Sequence, residues 1–120
     1  MRVAFVRPDS LNEAAYQGAD SLTVGHEYSV QEIYSRFGGP TFFRIAFAEN
    51  ETPALFDVRL FSVASPAVPS SWAIRLLSNG SMIVGPPAWQ VDGFWEAFLD
   101  RRRWAVEAYL DGRSGPNQPL

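Results

Sequence analysis

The hydrophobic period of this chain changes once, and that change limits what it can fold into. Ahead of Pro86-Pro87, apolar residues come in short runs divided by turn signals; behind it, from Asp92 to Gly112, they recur at helical spacing with no proline. Several strands followed by one helical stretch predict an α+β domain. A chain of 120 residues makes a single domain that hides roughly two-thirds of the surface its unfolded form exposes. The expected bounds are 1–112 for the domain and 113–120 for a flexible tail, within the Gly-Pro ending "GRSGPNQPL".

The strands read as an antiparallel meander. "EYSVQEIYS" (Glu27 to Ser35) sets Tyr28, Val30 and Tyr34 against Ser29, Gln31 and Ser35, and Glu32 and Ile33 break the alternation. "FGGP" turns the chain into "TFFRIAFA" (Thr41 to Ala48), apolar on both sides except at Arg44, which predicts a central strand. "ALFDVRLFSV" (Ala54 to Val63) alternates most cleanly and reads as one strand. After the proline-rich "SPAVPSS", Asn79-Gly80 predicts a two-residue primed turn joining Trp72–Ser78 to Ser81–Gly85. "VAFV" and "SLTVG" are candidate further strands, and "DSLNEAAYQGAD" between them is a loop or a short helical turn. The expected architecture is a bent antiparallel sheet of five or six strands, a partly open Src-homology-3-like barrel, closed by a C-terminal helix.

Asp92 is the expected N-cap of that helix and Gly112 its C′ residue. At about 100° per residue, Phe94, Phe98, Ala105 and Tyr109 join Trp95, Leu99, Val106 and Leu110 on an apolar face, while Arg103 on the polar stripe can pair with Asp100 and Glu107. The same geometry makes Arg101, Arg102 and Arg103 fan around the axis. Arg102 then falls within the apolar face: either its guanidinium reaches the edge, or the helix breaks at Asp100 and Asp100 caps a second helix. Arg101 shares a side with Ala97, Trp104 and Ala108, a small-residue surface carrying one guanidinium and one indole, the side chains most enriched at binding hot spots. The alternative is that Trp104 covers the end of the sheet or stacks on Arg101.

Charge argues against nucleic acid as the partner. The net charge is −3, and Asp92 to Gly112 carries five acids against three arginines, whereas phosphate binding needs a clustered positive field. Without cysteine there is no disulfide, thiolate nucleophile or cysteine metal site, which fits a reducing cytoplasm. The first apolar run stops at Arg7-Pro8, too short for a secretory core, and no run is long enough to span a membrane. His26 is the single histidine; with a carboxylate it offers acid–base chemistry, and Glu32, Asp57 and Asp92 are the candidate carboxylates. No nucleophile constellation, cofactor motif or metal-ligand set accompanies them, so a small enzyme or ligand-binding domain is the alternative reading. A homodimer built on the helix is another. Glu49 and Glu51 flank Asn50 as an acidic loop tip suited to a basic protein surface.

Two segments carry a resemblance: "LTVGHEYSVQEIY" (Leu22 to Tyr34) and "PPAWQVDGFWEAFLD" (Pro86 to Asp100). A strand-opening Leu-Thr-x-Gly-x-x-Tyr-x-Val and a Gly-Phe-Trp-Glu ahead of a closing helix resemble small bacterial immunity proteins of polymorphic-toxin and contact-dependent systems. The match covers about a quarter of the chain, and its motifs are structural. It implies a non-enzymatic, cytoplasmic protein that binds and neutralises one cognate toxin. It transfers no catalytic residues, so Glu49, Glu51, Arg101 and Trp104 are partner-binding candidates on the surface arguments alone.

Overall fold

The computed structural model describes residues 1–47 and 52–113. The chain is α+β; the described residues form seven strands in one forked antiparallel sheet, followed by two short helices. β1 is Arg2–Phe5, β2 Glu27–Ser35, β3 Thr41–Ile45, β4 Ala54–Asp57, β5 Phe61–Ser65, β6 Ala73–Leu76 and β7 Met82–Gly85. The helices are α1, Phe94–Leu99, and α2, Arg103–Gly112.

β2 is the hub. Its first residues pair with β1 (Arg2↔Ser29, Ala4↔Glu27), and its second half pairs with both β3 (Ile33↔Phe43) and β7 (Ile33↔Val84). β1 passes on to β5, β3 to β4 and β7 to β6, giving a main path β4-β3-β2-β1-β5 with a β7-β6 branch. The register slips between Val30 and Glu32, so a bulge lies at the break in alternation seen in the sequence.

The expected strand Ala54–Val63 is two strands meeting at a corner. A 3-10 turn at Val58–Leu60 separates β4 from β5, because Asp57 Oδ1 accepts the Arg59 N–H at 2.9 Å and caps the turn. This raises the strand number above the five or six expected. It also forces curvature. β4 and β5 end the main path, about 19 Å apart in a flat sheet at roughly 4.8 Å per strand, yet Asp57 and Phe61 are separated by a stretch that spans at most about 14 Å. The sheet must curl to bring its ends together. β4 and β5 share no ladder, so it stays open.

Two further expectations change. "SLTVG" is not a strand: a 3-10 turn covers Ala19–Ser21, and another at Glu13–Tyr16 is capped by Asn12, whose side chain accepts the Ala15 N–H. The β6–β7 connection is a three-residue loop, not a primed two-residue turn. Leu77 donates to Ser81 O at 2.7 Å and Gly80 to Leu77 O at 2.9 Å. Gly80 alone takes the left-handed conformation, at φ +89°, while Asn79 Oδ1 accepts from the Ser81 N–H.

Val3, Phe5, Val30, Ile45, Phe56 and Leu60 form the heart of a core inside the curled sheet. Trp89, Phe94, Phe98, Ala105 and Tyr109 form a second cluster between the two helices and the 3-10 turn at Pro87–Trp89. Trp89 is its centre: it stacks on Phe94 and Tyr109 at 6.1 and 5.2 Å, and its Nε1–H donates to Ala108 O at 2.9 Å. Gly112 closes α2 from inside the helix and is not the C′ residue the sequence predicted. A Cβ there would lie 2.8 Å from Trp89 Nε1, so the indole occupies the space of a side chain.

Candidate functional site

The helical segment breaks where three arginines follow one another. At the end of α1 the Arg101 N–H donates to Phe98 O at 3.0 Å and the Arg102 N–H to Ala97 O at 2.9 Å, the paired bonds of a Schellman cap with Arg101 as the left-handed residue at φ +58°. Arg102, not Asp100, is the N-cap of α2, and its carbonyl accepts from Ala105 and Val106. Asp100 instead ends α1. The break answers the sequence conflict: a continuous helix would turn Arg102 toward the apolar face, where an unpaired guanidinium is costly, and the break leaves Arg102 exposed. At the other end, Gly93 occupies the N-cap position assigned to Asp92, and Asp92 pairs with Arg75 at 2.7 Å.

This break brings Arg101 and Trp104 together on one buried aromatic pair. The Arg101 guanidinium lies 5.4 Å over the Phe98 ring, and Trp104 meets Phe94 edge to face at 6.0 Å, with Phe94 and Phe98 stacked on each other. Trp104 is 49% exposed, and the neighbouring Leu99 is 62% exposed. Arg103 turns away to Glu107, at 3.0 Å; the expected Asp100 pairing is not made. Ala97 and Ala108, expected beside Arg101 on a flat outer surface, pack inward against the aromatic cluster. Glu49 and Glu51, the other partner-binding candidates, lie outside the described residues.

Arg7, the other non-glycine residue with positive φ among the described residues (+44°), shows what is unusual about Arg101. The Arg7 side chain works within the fold: it bonds Asp20 Oδ1 at 3.0 Å and lies 5.5 Å over Tyr16. Arg101 has no ion pair among the described residues. Beyond the backbone bonds of the cap, only the contact over Phe98 offsets any of the roughly 1–2 kcal/mol that a side chain loses in this conformation.

The three candidate carboxylates are each tied to a different arginine. Asp57 is forked by Arg59 at 2.9 and 2.7 Å, which holds its carboxyl below the usual aspartate value, and it sits beside an open depression of about 430 Å³ lined by Pro40, Thr41, Val58 and Arg59. Asp92 is held by Arg75, whose other nitrogen bonds Gln90 O. Glu32 Oε1 accepts from Arg44 Nε at 2.9 Å. His26 is exposed, its ring edge-on to Tyr28 at 6.2 Å, while Glu27 turns to Arg2. Among the described residues no group of three or more acidic or histidine side chains is placed to hold a metal ion.

The Glu32–Arg44 pair seats the helices on the sheet. Glu32 is 2% exposed and Arg44 14%, and the guanidinium lies 3.8 Å over the Trp95 ring of α1. Glu32 Oε2 is buried with no hydrogen-bond partner, and burial pushes this carboxyl above its ordinary value despite the arginine. Gly85 makes room for it, since a Cβ there would stand 3.0 Å from Glu32 Cγ. Gln90 completes the seat by donating to Ala73 O and Gly85 O at 2.9 and 3.3 Å. The sequence held the signal: Glu32 and Arg44 are the residues that break the pattern of their own strands, and they are register partners. Compared with protein-family models, curated proteins and solved structures, the chain has no significant match.

Proposed function

We propose that this protein is a non-enzymatic protein-binding domain, an immunity protein that binds and neutralises a cognate bacterial toxin in the cytoplasm, with Arg101 and Trp104 at the centre of the contact. The observation that carries this reading is Arg101. Its position favours glycine, its guanidinium is unpaired among the described residues, and a half-exposed indole stands three residues away. Strain held at a surface side chain that has no ion pair among the described residues and rests only on the Phe98 ring supports a role for it toward something outside the chain. The segments Leu22 to Tyr34 and Pro86 to Asp100, which resemble immunity proteins, support the role class. The curl that the short β4–β5 corner imposes supports a partly open Src-homology-3-like barrel. Glu49 and Glu51 are a second contact in this reading, suited to basic residues on the toxin.

The test is protection. Cells producing the toxin encoded beside this gene survive when the wild-type protein is present and die when it carries Arg101→Ala with Trp104→Ala, although the variant folds normally by circular dichroism. Full protection by the double variant removes this surface from the reading. No protection or binding by the wild type against any neighbouring toxin removes the immunity role.

A further inference from the structure

A second surface, remote in chemistry from the helix break, is the outer edge of β6. This strand pairs with β7 alone, so its other edge has no strand neighbour among the described residues. The Leu77–Ser81 hydrogen bond fixes which groups face out. Leu77 is a hydrogen-bonded position, so by the alternation of an antiparallel ladder Arg75 and Ala73 are too, whereas the N–H and C=O of Ile74 and Leu76 point away from β7. These same residues are 70% and 73% exposed, and their side chains share a face with those of their partners Val84 and Met82. Native sheets blunt such an edge with lysine, proline or a bulge. At 4 residues β6 is itself short, but between Ala73 and Leu76 the chain has none of these, and the one charge there, Arg75, is paired with Asp92.

We propose that the occupant of this edge is a second copy of the same chain, β6 against β6 in antiparallel two-fold register, with Arg75 opposite its symmetry mate. In that register Ile74 faces the partner's Leu76 and Leu76 the partner's Ile74, as hydrogen-bonded pairs. Every outward N–H then meets an outward C=O, and the apolar side chains pair across the junction. The arrangement is its own image under a two-fold axis, as an isologous contact must be. The two Arg75 side chains approach on the opposite face, and each brings its own carboxylate, Asp92, so like charges do not meet unneutralised. Both strands are preformed by their pairing with β7, so little chain entropy is lost on docking. Neither Arg101 nor Trp104 belongs to β6, and the two proposals are tested by different variants.

Sedimentation equilibrium and amide hydrogen exchange on the full chain decide it. The expected result is a concentration-dependent dimer in which the Ile74 and Leu76 amides gain protection as the dimer forms. Leu76→Lys should raise the dimer dissociation constant more than tenfold with an unchanged circular-dichroism spectrum. Ile74→Pro, which removes one outward donor and no β6–β7 bond, should do the same. A wild-type chain that stays monomeric at concentrations on the order of 1 mM overturns the proposal. So does a dimer that both substitutions leave intact. Protection of Ile74 and Leu76 that arises only when another protein is added also overturns it, and gives the edge to a foreign strand.

Discussion

The sheet and the helical segment each have a core, and the two are built on different principles. The sheet's core is mainly aliphatic, with Phe5, Phe43 and Phe56 among Val3, Val30, Ile45 and Leu60, and the strands around it are fixed by backbone ladders whichever side chains meet inside. The helical cluster is nearly all rings, Trp89, Phe94, Phe98 and Tyr109 with Trp95 at the margin. α1 and α2 have 6 and 10 residues, and neither N-cap side chain makes a capping bond. Helices shorter than about 12–15 residues are marginal in water by themselves. The sheet therefore specifies itself, while the helices are held by what they pack on, which is Trp89 from within and the Glu32–Arg44 pair from beneath. The surface proposed around Arg101 and Trp104 lies on the conditional region, over the rings of Phe98 and Phe94.

The largest expected effect comes from removing the centre of the ring cluster. Trp89→Ala deletes two stacked contacts and the bond to Ala108 O and opens a void against Gly112. It should cost about 3–5 kcal/mol by chemical denaturation. Native-state hydrogen exchange should show the α1 and α2 amides losing protection while those of β2 and β3 keep it. Equal loss in both regions would break the distinction and make the molecule a single cooperative unit.

Arg44→Met attacks the seat between the two regions. It leaves the Glu32 carboxyl buried without the Arg44 donor, its only one among the described residues, a change of about 3 kcal/mol for a broken buried pair. Replacing both residues, Glu32→Leu with Arg44→Met, should recover most of that loss, because no charge is then stranded. The pH profile sharpens the point. The native Glu32 carboxyl titrates above the ordinary value of 4.5, so between that value and its native one the unfolded chain gives up a proton that the folded chain retains. Stability should therefore fall as pH rises through that window, and Glu32→Gln should flatten the fall. Asp57, inside the sheet region, has the opposite sign. Its carboxyl lies below the ordinary 3.8, so its contribution is present above that value and is lost as pH falls through the native one. Asp57→Ala should cost about 1–2 kcal/mol, mainly the capped 3-10 corner, and should remove the acid-side loss. A melting series across pH that shows one sign for both variants would merge the two electrostatic settings.

The same contrast explains how much the sequence revealed. Alternation and turn residues located β2 with its observed ends, put β3 in the interior and set the β6–β7 hairpin, because a ladder strand is specified by its own residues. The Ala54 to Val63 stretch misled because its alternation runs straight through a corner: Phe56 and Leu60 are both buried, but on separate strand segments joined by a turn that Asp57 caps. In the helical segment the buried set Phe94, Phe98, Ala105 and Tyr109 was legible from period alone. Leu99 and Leu110, assigned to the same face, are exposed because on each helix only the column of Phe94 and Phe98 or of Ala105 and Tyr109 is buried, and the adjacent column lies at its margin. The conflict at Arg102 was visible. Its resolution through a left-handed arginine was not, since propensity places glycine at such a cap. Of the candidate site, Arg101 and Trp104 were legible as a pair, but the surface beneath them was not: the alanines expected there turn inward, and two phenylalanine rings take their place.

The smallest expected effect is a gain. Arg101→Gly should stabilise the protein by about 1 kcal/mol, because glycine adopts the left-handed conformation without the penalty that a Cβ brings, and the lost contact over Phe98 is exposed and weak. Arg7→Gly is the internal control. Relief of its positive φ is offset by the loss of the Asp20 bond and the Tyr16 contact, so its net change should be near zero or destabilising. Thermal melts of the two variants separate strain used inside the fold from strain directed outward. If Arg101→Gly both raises the melting temperature and weakens binding of the proposed partner more than tenfold, the side chain is held against stability for that partner. If it destabilises the protein, the guanidinium over Phe98 is structural, and the helical region is as self-contained as the sheet.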